Sequence, residues 1–113
     1  MLFQRSTSLT PREAAGALGR GELQLVDVRE PAELADARVR GAQHIPLDQL
    51  PQRLVELDHD QPTAFLCHSG SRSSLATRVA AAAGLDAANV AGGIVAWSRA
   101  GLPLITDSGR GAA

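Results

Sequence analysis

Apolar positions along this chain fall into two rhythms. Residues 23–28, Leu23-Gln24-Leu25-Val26-Asp27-Val28, and residues 63–67, Thr63-Ala64-Phe65-Leu66-Cys67, are short and largely apolar. Such runs suit strands buried on both faces, as in a parallel sheet. Leu47, Leu50, Leu54 and Leu57 instead recur at three- and four-residue intervals and predict an amphipathic helix across about 48–57. Thr10-Pro11-Arg12-Glu13 combines capping-box spacing with proline at the first helical position. It predicts a helix to about Leu18, stopped by Gly19 and Gly21. Pro31-Ala32-Glu33-Leu34 starts a second short helix ending near Ala37. Residues 38–42 are a weaker strand candidate, broken by a turn at His44-Ile45-Pro46. The strongest helical stretch is 73–83, closed by Gly84 where left-handed backbone is wanted. Asn89-Val90-Ala91 reads as a short strand, and Gly92-Gly93 opens a last helix through Trp97 to Ala100, ended by Gly101-Leu102-Pro103. Strands alternating with helices across short loops predict an α/β domain with a mostly parallel central sheet.

Composition changes this picture mainly by exclusion. With 113 residues, 44% hydrophobic and 20% charged, the chain is predicted to be one globular domain over 1–106, its core at about 19–104 and a mobile tail at 107–113. A net charge of −1 gives no electrostatic footprint for nucleic acid. All 11 basic residues are arginines, which removes any lysine nucleophile or Schiff base. One cysteine excludes an intramolecular disulfide or a paired-cysteine redox motif and fits a reducing compartment. His44, His59 and His68 lack metal-ligand spacing, so no zinc or iron site is expected. The first eight residues lack the apolar core and cleavage site of a signal peptide, and the apolar stretch 79–83 is far short of the roughly 20 residues that span a bilayer. A cytoplasmic location away from membranes is the expectation.

Candidate chemistry gathers at one place. Cys67 ends a strand, and His68-Ser69-Gly70-Ser71-Arg72-Ser73-Ser74 leads straight into the strongest helix. Ligands of parallel sheets bind at the carboxyl ends of the strands. Backbone N–H groups of the loop and helix start place partial positive charge around the sulfur. Such settings lower a thiol pKa from about 8.5 into the range of roughly 3.5–7.5. Free cysteine is also among the most buried residue types, but the flanking serines, glycine and arginine favour an accessible, reactive thiol over a structural one. Gly70 removes the Cβ where the chain turns sharply, with a positive φ expected. Ser69, Ser71 and Ser73 are small enough to leave the amides exposed, and Ser73 or Ser74 is placed to cap the helix; plain loop solubility would explain each serine equally well. Arg72 offers a fixed cation that completes an anion cradle. His68 adjoins the cysteine, yet neighbouring side chains at a strand end point apart, so it reads as loop lining rather than a general base.

Four segments in this order carry a family resemblance: Leu25-Val26-Asp27-Val28-Arg29-Glu30, Gly41-Ala42-Gln43-His44-Ile45-Pro46, Cys67-His68-Ser69-Gly70-Ser71-Arg72-Ser73, and Gly92-Gly93-Ile94-Val95-Ala96-Trp97 with Gly101-Leu102-Pro103. Over about 9–104 the chain resembles the single-domain rhodaneses, rhodanese-like sulfurtransferases. That family usually shows a glycine–histidine–isoleucine triplet where this chain has Ala37-Arg38-Val39, away from the active loop. The resemblance implies a three-layer domain, a mostly parallel sheet flanked by helices, and no cofactor. It also implies that Cys67 attacks the outer sulfur of thiosulfate or a persulfide donor, holds it as a persulfide, and passes it to cyanide or a thiol. His68, Ser69, Gly70, Ser71, Arg72 and Ser73 would form the substrate and persulfide loop, their amides stabilising the anion while Arg72 orients the donor. Asp27 and Arg29, with Glu30, would support neighbouring loops, and Trp97 would pack the last helix onto the core. Partners would be a small-molecule donor and acceptor, or a protein at either end.

Two other readings share these residues. Phosphatases of the cell-cycle type, and arsenate reductases on the same plan, place five residues between cysteine and arginine. Here four, residues 68–71, lie between Cys67 and Arg72, and the tighter ring suits a sulfur atom. A sulfur carrier or sensor, loaded by one protein and unloaded by another, would use the same persulfide. With no second cysteine, that persulfide needs an external acceptor in either case.

Overall fold

The two largely apolar segments lie side by side at the centre of the molecule. The computed structural model describes residues 8–106. Its strands are β1 Ser8–Leu9, β2 Gln24–Asp27, β3 Ala37–Arg38, β4 Gln43–His44, β5 Thr63–Leu66, β6 Ala87–Val90 and β7 Ile105–Thr106. Its α-helices are α1 Pro11–Gly19, α2 Pro31–Asp36, α3 Leu50–Arg53, α4 Ser71–Ala82 and α5 Gly93–Arg99. Five strands form one sheet in the order β1-β6-β5-β2-β4, with every pairing parallel. β3 and β7 form a separate antiparallel ribbon.

Strand alternation sorts the core into two layers. Val26, Val28, Phe65 and Cys67 share one side with Leu50 and Leu54 around α3 and with Ala76 and Ala80 of α4. Leu25, Ala64, Leu66, Ala88 and Val90 share the other with Ala14 and Ala17 of α1 and with Ile94 and Trp97 of α5. Every residue of β2 and β5 is buried, because helices cover both faces. The three-layer α/β plan and the core position of Trp97 are as the sequence predicts.

The capping box at α1 forms, with Thr10 Oγ1 accepting from Glu13 N at 3.1 Å and Glu13 Oε1 from Thr10 N at 2.8 Å. Other expectations need correction. Residues 48–57 are not one helix: α3 is a single α-turn between 3-10 turns at Leu47–Gln49 and Leu54–Glu56. Pro51 has no N–H to return to Leu47, so the leucine periodicity is kept without a continuous helix. Of the strand expected at 38–42 only Arg38 lies in a strand, at the end of β3; residues 40–41 are a turn, with Gly41 at φ +88, and β4 follows at Gln43–His44, in place of the turn expected at His44. The last sheet strand begins at Ala87 rather than Asn89, and β1 and β7 have no counterpart among the predicted elements. The tail 107–113 lies outside the described residues. Among the described residues no helix is long and apolar enough to cross a membrane, and no group of three or more His, Cys, Asp or Glu could hold a metal ion.

Candidate active site

Alternation from Phe65 carries Cys67 toward α4 rather than toward solvent. The thiol is therefore buried, at 1% exposure, against the expectation drawn from its polar neighbours. His68, Ser69 and Ser71 are the exposed residues of the loop. Beneath them, Gly70 N and Ser73 N donate to Cys67 Sγ at 3.1 and 3.3 Å, and Ser73 Oγ lies 3.2 Å from the sulfur. Burial alone raises the Cys67 pKa. The Ser73 hydroxyl and the N–H groups of Ser73, Gly70 and Arg72 outweigh it, leaving the thiol more acidic than usual.

Gly70 has φ +114 and caps the N-terminus of α4, so neither Ser73 nor Ser74 does. Ser73 lies inside the first turn and turns its hydroxyl inward. The hydroxyl donates toward the Gly70 carbonyl at 3.2 Å and Asn89 Oδ1 at 2.5 Å, and its oxygen also meets Cys67 Sγ, a contact in which either atom can donate.

For the loop amides to face the sulfur, its carbonyls must turn away. Ile94 N donates to the Cys67 carbonyl at 2.8 Å and Val95 N to the His68 carbonyl at 3.1 Å. These are first-turn N–H groups of α5, which have no partner within their own helix. The approach depends on Gly93, at φ +60, where a Cβ would overlap both carbonyl oxygens.

The charged residues are paired. Arg29 donates from Nε and Nη2 to the Asp27 carboxylate at 3.0 and 2.8 Å, with both side chains almost fully buried. It also donates to the Ala37 carbonyl at 2.6 Å and the Glu33 carbonyl at 3.3 Å, tying α2 to the end of β2. Glu30 N-caps α2. Arg72, the fixed cation of the loop, is paired as well: its Nη1 and Nη2 donate to the two Glu33 carboxylate oxygens at 2.6 and 2.8 Å. The Arg72 hydrogen bond holds the Glu33 carboxyl at about 2.

Arg29, Arg72, His68, Ser69 and Ser71 line one cleft of about 400 Å³ with Glu33, Asp36, Ala37 and Ile94, while Cys67, Gly70 and Ser73 lie beneath its loop. Sequence reasoning does not single out Glu33, Asp36, Ala37 or Ile94 of this lining, nor Asn89 beside the Ser73 hydroxyl. Gly92-Gly93 does more than open a helix, and the paired glycines are the sequence signal for that close backbone approach.

Residues 10–100 match the Rhodanese-like domain family, and the chain belongs to that family. It is 36% identical over 89 residues to a sulfurtransferase of Allochromatium vinosum, a match covering 78% of this chain and 83% of that protein. It is 36% identical over 77 residues to YrkF of Bacillus subtilis, provisionally named a sulfur carrier protein, covering 67% of this chain and 42% of that one. The crystal structure of a rhodanese-related protein from Thermoplasma volcanium superposes with a TM-score of 0.81 at 28% identity, covering 87% of this chain and 96% of that one.

Proposed function

We propose that this protein transfers sulfane sulfur through a persulfide on Cys67. One observation carries the reading: the Cys67 sulfur accepts inward-facing N–H groups from a loop with four residues between Cys67 and Arg72. The thiolate attacks the outer sulfur of thiosulfate or of a persulfide donor, a new S–S bond forms, and the donor's own bond breaks with its electron pair leaving on sulfite or on a thiolate. Cyanide or a thiol then attacks the bound outer sulfur and regenerates the Cys67 thiolate. Gly70 and Ser73 stabilise the anion, while His68, Ser69, Ser71 and Arg72 form the mouth. Asp27 and Arg29 hold the neighbouring backbone. The reaction runs without metal or cofactor, in the cytoplasm.

A carrier role uses the same persulfide and has one observation in its favour. The sulfur is buried beneath its loop, so its exchange would be governed by a partner that opens the mouth. The two roles separate by turnover. An enzyme cycles with a small-molecule donor, thiosulfate or a persulfide, and cyanide alone, whereas a carrier loads once and waits for a protein. Uptake of one sulfur per chain, reversed by cyanide, tests the common reading. Hydrolysis of an aryl phosphate without sulfur uptake would overturn it in favour of a phosphatase.

A further inference from the structure

Both guanidinium groups at the cleft are already engaged. Arg29 is committed to buried Asp27, and Arg72 gives both arms of its fork to Glu33. Asp36 adds a third carboxylate to this neighbourhood. Of the charged side chains lining the cleft, Arg29 and Arg72 face Glu33 and Asp36, and Arg29 is paired besides with buried Asp27, so neither guanidinium is left unmatched. Glu33 is also anchored: its Oε1 accepts from Glu30 N at 2.9 Å, closing the capping box of α2. Its carboxyl, held at about 2 by the Arg72 hydrogen bond, stays ionised at any working pH.

Thiosulfate carries its charge on sulfonate oxygens, the geometry a guanidinium fork recognises. To use Arg72 it must displace a carboxylate tethered to α2. Resting on the sulfurtransferase reading, we infer that Glu33 sets donor selectivity: it withholds Arg72 from small oxyanionic donors and leaves the site to persulfides carried on an uncharged thiol. In that step the Cys67 thiolate attacks the outer sulfur of the donor persulfide. A bond forms from Cys67 Sγ to that sulfur and the donor S–S bond breaks. The electron pair leaves on the inner sulfur as a thiolate, which takes a proton from solvent. No sulfonate leaving group then needs the fork.

The test compares loading of Cys67 by thiosulfate and by hydroxyethyl persulfide, read by mass spectrometry. Glutamine keeps the shape and one capping acceptor of Glu33 but removes its charge. Glu33→Gln should raise the ratio of thiosulfate to persulfide loading rates about tenfold, the order expected for freeing one charge-assisted, half-exposed pair. The gain should vanish in the double variant Glu33→Gln with Arg72→Ala. An unchanged or lowered ratio in the single variant, or a gain that survives loss of Arg72, overturns the inference. The unaltered protein supplies a second measurement: thiosulfate loading should hold steady or rise with added salt, because both cleft guanidinium groups are paired and leave no cation to draw in a dianion. A steep fall with salt would reveal a cationic approach and also overturn it. Failure of both donors to load Cys67 would instead defeat the sulfurtransferase reading.

Discussion

Adding one methyl group at Gly93 should disable the sulfur site from outside it. Gly93 sits at φ +60, and its missing Cβ would overlap the carbonyl oxygens of Cys67 and His68. The left-handed backbone alone costs alanine about 1–2 kcal/mol. Forcing α5 away from the loop adds about 1–3 kcal/mol of repacking. Gly93→Ala should therefore lose about 3.5 kcal/mol of stability, the middle of the combined range. Gly101 is the control, with φ +75 and no neighbouring atom within 4 Å of where its methyl would go, so Gly101→Ala should lose about 1 kcal/mol. Urea unfolding followed through Trp97, the single tryptophan, measures both losses. Iodoacetamide alkylation of Cys67 against pH reads the site. In Gly93→Ala its inflection should move up, because carbonyls released from Ile94 N and Val95 N let the loop amides swing off the sulfur. Equal stability losses in the two variants, or an unchanged thiol profile in folded Gly93→Ala, would refute the claim that α5 sets the loop.

Ser73→Ala should also move the alkylation inflection upward, since it removes a hydroxyl that helps hold the thiolate in a buried place; an unmoved inflection would take Ser73 out of the site. Glu33 has its folded pKa lowered from 4.5 to about 2, so its contribution to stability is full above 4.5 and fades as pH falls toward 2. The stability gap between wild type and Glu33→Gln, measured by urea unfolding, should shrink across that window, and a gap that widened on acidification would reverse the sign. Inserting one residue between Gly70 and Arg72 should slow sulfur uptake and admit phosphate or arsenate, because a wider ring weakens the short contacts to sulfur. An insertion variant with wild-type uptake and no oxyanion binding would contradict the role given to ring size.

The legible parts of the fold are those with local cause. Burial on both faces writes β2 and β5 into largely apolar runs, and the Thr10 box and Gly84 mark helix ends. β1, β4 and β7 have two residues each, too short for a pattern, and exist through their neighbours. Leu50, Leu54 and Leu57 do face the core, but Pro51 keeps them from forming one helix. At the site, the polar loop speaks for its outer surface, while the depth of Cys67 follows strand alternation from Phe65. Glu33 is not legible because its partner Arg72 lies 39 positions away, and nothing local in an acidic residue of a first helical turn announces an ion pair.

The central claim is that Cys67 carries a sulfane sulfur, and intact-mass measurement tests it most directly. Wild-type protein incubated with hydroxyethyl persulfide or thiosulfate should gain one sulfur atom per chain and lose it on adding cyanide, while Cys67→Ser, folded and equally treated, should gain none. Sulfur uptake by the serine variant, or no uptake by wild type from either donor, would contradict it.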